Sequence, residues 1–109
     1  MEIYTKTEEK WRVIGLNGSF DAQTSPKAEA AINTEIEDGH KFIGIDLEMV
    51  LFMSSGGLRV LLSSKKKLKE LGGDLVLIKP RENVMSVLEV SGFAKMFSVM
   101  DSLEGLVKV

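Results

Sequence analysis

One stretch constrains this chain more than any other. The apolar run from Phe42 to Phe52 leads directly into Met53-Ser54-Ser55-Gly56-Gly57-Leu58-Arg59-Val60-Leu61-Leu62. Near-continuous apolar character is what a β-strand covered on both faces shows. Two hydroxyls and two glycines then mark a tight turn, and Leu58, Leu61 and Leu62 recur at helical spacing. The segment therefore reads as a buried strand, a turn and the start of a helix. The first N–H groups of a helix lack intrahelical partners, and the macrodipole makes that end locally positive. A serine there is a cap for those groups, or it is a place where a phosphate is welcome.

The rest of the chain divides in the same way. Glu2 to Thr7 reads as an edge strand, Glu8-Glu9-Lys10 as a polar turn, and Trp11 to Leu16 as a second strand. On that strand Trp11, Val13 and Gly15 share one face, with Arg12, Ile14 and Leu16 on the other. Gly18 to Thr24 is a loop. Ser25 is placed as the N-cap of a helix with Pro26 at its first position, running to about Asp38 and stopped by Gly39. Phe42 to Leu47 forms a buried strand, and a helix from Ser55 or Gly56 to Gly72-Gly73 buries Leu58, Leu61, Leu62, Leu68 and Leu71. Leu75 to Ile78 is a further buried strand, stopped by Pro80. A third helix spans Asn83 to Ser91 and packs Val84, Val87 and Leu88, with Gly92 as its breaker. Phe97 to Met100 is a last strand, and Ser102 caps a final helix to Val107.

Strands followed by helix–strand alternation predict an α/β fold: one domain over residues 1–109, with a mixed, mostly parallel β-sheet, about four helices and right-handed crossovers. Ligands of such sheets gather at the carboxyl ends of strands. Those ends carry Asp21, Gln23 and Thr24 after one strand and Met53 to Gly57 after another. If the two loops meet, they make a single surface of hydroxyls, amides and free helical N–H groups. Phe20 and Met53, beside them, read equally as core residues or as apolar contacts for a partner.

Composition narrows the function. The 109 residues are 44% hydrophobic and 28% charged, as in a soluble globular domain. Cysteine is absent, which excludes disulfides and thiolate metal sites and suits a reducing compartment. No signal-like segment opens the chain and no apolar run is long enough to cross a bilayer, so the cytoplasm is the expected location. A net charge of −2 and a pI near 5.4 give no general attraction to nucleic acid or an anionic membrane. The one basic cluster, Lys65-Lys66-Lys67-Leu68-Lys69, reads as the solvated C-terminal half of a helix, where cations suit the dipole.

Catalytic and metal-binding sets are not evident. His40 is the only histidine, so a nucleophilic Ser55 has a single candidate base. There is no Gly-x-Ser-x-Gly elbow, dinucleotide fingerprint or P-loop. Glu35, Glu37 and Asp38 read as an exposed helix face. No cofactor is implied.

Taken in order, these segments resemble a STAS domain of the anti-sigma factor antagonist type. Val13 to Asp21 (V-I-G-L-N-G-S-F-D) resembles the family's strand, glycine and aspartate before the first helix. Ile45 to Leu62 resembles its buried strand, serine turn and leucine-rich helix. Gly72 to Leu77 resembles its Gly-Gly-strand step, and Leu88 to Phe97 (L-E-V-S-G-F-A-K-M-F) its Leu-x-x-x-Gly-Phe signature. The resemblance implies that Ser55, two residues before Gly57-Leu58, is a phosphoryl acceptor. It implies a partner switch. The unmodified protein binds an anti-sigma factor, a serine kinase of the histidine-kinase-like ATPase fold. Phosphorylation of Ser55 releases that partner, and a PP2C-type phosphatase restores the binding form. On this reading the chain is substrate and ligand rather than enzyme, and Asp21, Gln23, Thr24, Ser54, Gly56, Gly57, Leu58 and Arg59 line the contact surface. Members of this type often carry aspartate immediately before the acceptor, where this chain has Ser54. That departure makes Ser54 an alternative acceptor, and it makes a non-phosphorylated scaffold within a larger assembly the competing reading.

Overall fold

The structure is a computed structural model that describes residues 1–107. Residues 108 and 109, which the expected 1–109 span takes in, lie outside the described residues. The elements in chain order are β1 (Glu2–Glu8), β2 (Trp11–Asn17), α1 (Ser25–Glu37), β3 (Phe42–Met49), α2 (Ser55–Glu70), β4 (Asp74–Ile78), α3 (Glu82–Ser91), a single 3-10 turn (Ala94–Met96), β5 (Ser98–Met100) and α4 (Glu104–Val107). The strands lie side by side in chain order. β1 is antiparallel to β2, and β2 through β5 are parallel. This is the expected mixed, mostly parallel sheet with four α-helices among the described residues.

Alternation along the strands separates two cores. Ile14, Leu16, Ile43, Ile45, Leu47, Leu75 and Leu77 meet residues of α1, α2 and α3, including Ile32, Leu61, Leu68, Val84 and Leu88, all buried. On the opposite face Trp11, Val13, Val76 and Ile78 pack with Leu106 of α4. Trp11 meets Phe42 edge to face at 5.6 Å between ring centroids. The inner parallel strands β2, β3 and β4 are thus covered on both sides, which is why they read as largely apolar runs, whereas the edge strand β5 stays mostly exposed. β1 contributes Tyr4, whose ring occupies the space a side chain at Gly15 would fill. The Tyr4 hydroxyl donates a hydrogen bond to Asp46 on β3.

The structure corrects several local expectations. The polar turn is tighter than expected: β1 runs to Glu8, and Glu9-Lys10 alone make the turn. Ser25 is not the cap of α1 but its first residue, and it is buried. Thr24 holds the cap position with no side-chain cap bond, and Asp21 instead closes the turn before the helix, its Oδ1 accepting from the N–H groups of Gln23 (2.9 Å) and Thr24 (3.1 Å). Glu35 is not on an exposed face. It is 7% exposed, its carboxylate receiving Arg12 Nε at 3.0 Å, because α1 lays this position over the Arg12 face of β2. Lys65 is only partly solvated, donating to Asp74 Oδ1 at 2.8 Å and to the Leu75 carbonyl. Leu71 lies at the end of α2 and is exposed. The strand inside the Phe42–Phe52 run ends at Met49, leaving Leu51 and Phe52 exposed.

Candidate functional site

Two loops meet at the carboxyl ends of β2 and β3. Phe20 pairs with Met53 in an isolated parallel bridge. The bridge is held by Phe20 N–H donating to the Phe52 carbonyl at 2.8 Å and Ser54 N–H to the Phe20 carbonyl at 3.0 Å. A third bond, from Gly18 N–H to the Met49 carbonyl, closes the approach at 3.1 Å. Phe20 and Met53 are both fully buried, so they are core residues and not free apolar contacts. Close approach is possible because α2 begins with glycines. A Cβ at Gly56 would lie 2.9 Å from Ala22 N, and one at Gly57 would lie 2.5 Å from the Phe20 carbonyl oxygen. The loop containing Asp21, Gln23 and Thr24 is therefore packed directly on the start of α2.

The two adjacent serines have different surroundings. Ser54 has extended backbone (φ −104°, ψ −178°) and is the N-cap of α2, its Oγ accepting from Gly56 N–H at 3.2 Å. Ser55 opens the helix, is exposed, and makes no side-chain hydrogen bond among the described residues. Its hydroxyl sits where unpaired N–H groups and the helix dipole favour negative charge. One turn on, Arg59 is exposed and lies 3.8 Å from Glu29 of α1. Gln23 is exposed and Thr24 partly so, its hydroxyl donating to the Ser19 carbonyl at 2.7 Å. Gly57 and Leu58 are buried, so they form the base of this surface and not its face.

Sequence reading missed a groove of about 380 Å³ between α2 and α3, lined by Ser55, Leu58, Ser86, Val87, Val90 and Ser91. Ser86, Val87 and Val90 stand at i, i+3/i+4 spacing, which was the available signal; their exposure depends on where α3 packs. A larger hollow of about 620 Å³, near Lys79, Arg81 and Asp101, holds none of the expected site residues. His40 precedes β3 and Ser55 follows it, so about 26 Å of strand, at roughly 3.3 Å per residue, separates them and His40 is no base for Ser55.

The STAS domain model matches residues 2–106. The chain belongs to the STAS domain family. BtrV of Bordetella bronchiseptica, whose name is that of an anti-sigma factor antagonist, is 34% identical over 89 residues, covering 82% of this chain and 77% of that protein. The anti-sigma-B factor antagonist of Staphylococcus aureus is 25% identical over 104 residues, covering 95% of this STAS domain and 96% of that protein. Among solved structures, the Bacillus anti-sigma factor antagonist SpoIIAA in its unphosphorylated form superposes with a TM-score of 0.82 at 24% identity, over 98% of this chain and 95% of that one. Its phosphorylated form gives 0.75 at 23% identity, over 98% of each. These structures show the shared fold.

Proposed function

We propose that this STAS domain is an anti-sigma factor antagonist that works by partner switching, with Ser55 as the phosphoryl acceptor. The unphosphorylated chain binds an anti-sigma factor that is itself a serine kinase of the histidine-kinase-like ATPase fold. Phosphorylation at Ser55 releases the kinase, and a PP2C-type phosphatase reverses it. One observation carries the reading: the Ser54 hydroxyl is spent on capping α2, while Ser55 beside it is exposed and its hydroxyl makes no hydrogen bond among the described residues. The names of the relatives and the two phosphorylation states of SpoIIAA support it.

Phosphate brings about −1.5 to −2 charges at neutral pH. At the start of α2 that charge meets a favourable dipole, so the fold tolerates it. The cost falls on the partner contact, where a desolvated or like-charged pairing is worth several kcal/mol as an order of magnitude. The contact surface on this reading is Ser55 with Asp21, Gln23, Thr24, Ser54, Gly56 and Arg59, over the buried Gly57 and Leu58.

The test is phosphoryl transfer from Mg-ATP by each purified ATPase-fold serine kinase encoded in the same genome, with the product mapped by mass spectrometry. Phosphate on Ser55 that is lost in Ser55→Ala, together with loss of kinase binding in a folded Ser55→Asp, is the expected result. Phosphate on Ser54 instead, or undiminished binding by Ser55→Asp, overturns it. Alanine at the exposed Gln23 and Arg59 is expected to weaken binding; unchanged affinity in both puts the surface elsewhere.

One observation favours a second reading. The residue before Ser55 supplies a capping hydroxyl and no carboxylate, which suits a non-phosphorylated scaffold in a larger assembly. Absence of phosphate on Ser55 with every such kinase favours that reading.

A further inference from the structure

The β3–α2 loop spends its backbone on rigidity and its side chains on display. Val50 and Met53 are buried and anchor it. Between and beside them Met49, Leu51 and Phe52 are 49%, 59% and 52% exposed. Exposed apolar side chains on a mobile loop would carry little meaning, but this loop is tied down from both sides. Arg81 Nε donates to the Glu48 carbonyl at 2.8 Å and Asn83 Nδ2 to the Leu51 carbonyl at 2.6 Å, both from the start of α3. From the β2–α1 loop, Gly18 and Phe20 N–H groups hold the Met49 and Phe52 carbonyls. Four carbonyls of five consecutive residues are thus held by neighbouring elements.

We infer that Leu51 and Phe52 form a preorganised apolar anchor for the anti-sigma factor, extending the contact that Ser55 controls. The inference rests on the function proposed above. Two arguments select this occupant over a second copy of the chain. At about half exposure each, the three side chains offer on the order of 300 Å², well short of the roughly 800 Å² per partner that a stable interface takes. The patch is therefore part of a larger contact. The surface that continues it is the one bearing Ser55, three residues beyond Phe52 at the start of α2, and the Asn83 that holds Leu51 belongs to the helix whose Ser86, Val87 and Val90 line the Ser55 groove. Rigid aromatic and aliphatic side chains lose little entropy on docking, which suits them to anchor an interface.

The experiment measures affinity for the purified ATPase-fold serine kinase that passes the Ser55 test, using the parent chain, Leu51→Ser, Phe52→Ser and Ser55→Asp. Both serine variants should keep the parental circular dichroism spectrum and melting temperature, since they remove exposed groups, and each should weaken binding by about tenfold or more, the scale of a truncated anchor. Parental affinity in both, with Ser55→Asp still failing to bind, overturns the anchor while leaving the partner switch intact. If Ser55→Asp binds like the parent, or no such kinase binds the parent, the functional reading fails and the anchor with it. Sedimentation of the chain alone separates the remaining occupant: a parental dimer that Phe52→Ser converts to monomer assigns the patch to a second copy and overturns the inference.

Discussion

At the scale of single residues, the pair Ser54-Ser55 shows how one position along the chain separates two roles. An N-cap needs extended backbone and a hydroxyl aimed at the N–H two residues ahead, and Ser54 meets both conditions. Ser55 is already the first residue of the helix, and its hydroxyl makes no hydrogen bond among the described residues. Ser54→Ala is expected to cost about 1 kcal/mol of stability, while Ser55→Ala should stay within about 0.5 kcal/mol of the parent. Urea denaturation of both variants checks this, and equal losses would mean that the cap is shared. The sequence identifies the turn and both hydroxyls. It does not say which one caps, because the dihedral angles that decide it depend on how β3 enters the turn.

At the scale of elements, the glycines opening α2 are required by contact with a different loop. Replacing a helical glycine by alanine ordinarily gains up to about 1 kcal/mol. At Gly57 the added methyl would meet the Phe20 carbonyl oxygen at 2.5 Å, and overpacking of that kind costs on the order of 1–3 kcal/mol. Gly57→Ala is therefore expected to lower the melting temperature, opposite in sign to the propensity effect; a raised one would mean that the two loops part without cost. The same packing explains why Leu58, read from the sequence as both core and contact, ends as the buried wall of a groove. It also explains the miss at Glu35: periodicity places a carboxylate on α1, but only the docking of α1 on β2 brings Arg12 to it.

At the scale of the whole molecule, two ionisable groups report on contacts between distant segments. Tyr4 has its pKa raised, first by partial desolvation, although the residue is 45% exposed as a whole, and then by the hydrogen bond to Asp46 and the nearby carboxylate charges. A group whose pKa is raised on folding stabilises the fold below its unfolded value, near 10 for tyrosine, and loses that contribution as pH climbs through the folded one. Tyr4 is the only tyrosine, so an ultraviolet titration reads it directly. It should ionise well above the ordinary range, and Asp46→Asn should bring it back down. Ionisation at the ordinary value would remove the Tyr4–Asp46 contact from the account. Asp74 shifts the other way. Burial raises its pKa, but the hydrogen bonds from Lys65 and the Leu75 N–H, with the charges of Lys65 and Lys69, outweigh that and lower it. Its contribution is present above the unfolded value near 4 and lost as pH falls through the folded one. Asp74→Asn should therefore flatten the acid limb of the stability curve; an unchanged limb would show that the Lys65 pair adds nothing.

The sequence by itself determined the order of elements, the covered parallel strands and the serine turn at the head of α2. Those features follow from hydrophobic period, breakers and capping chemistry, which act between residues a few positions apart. Only the tertiary structure decided that the Asp21 loop lies on Gly56 and Gly57, that Ser54 caps α2 while Ser55 is exposed, that Leu51 and Phe52 face outward, and that Tyr4 reaches Asp46, 42 residues away. Those outcomes depend on strand register and on how helices settle on the sheet. Such packing is set by complementarity over the whole surface, and no local window of the chain contains it.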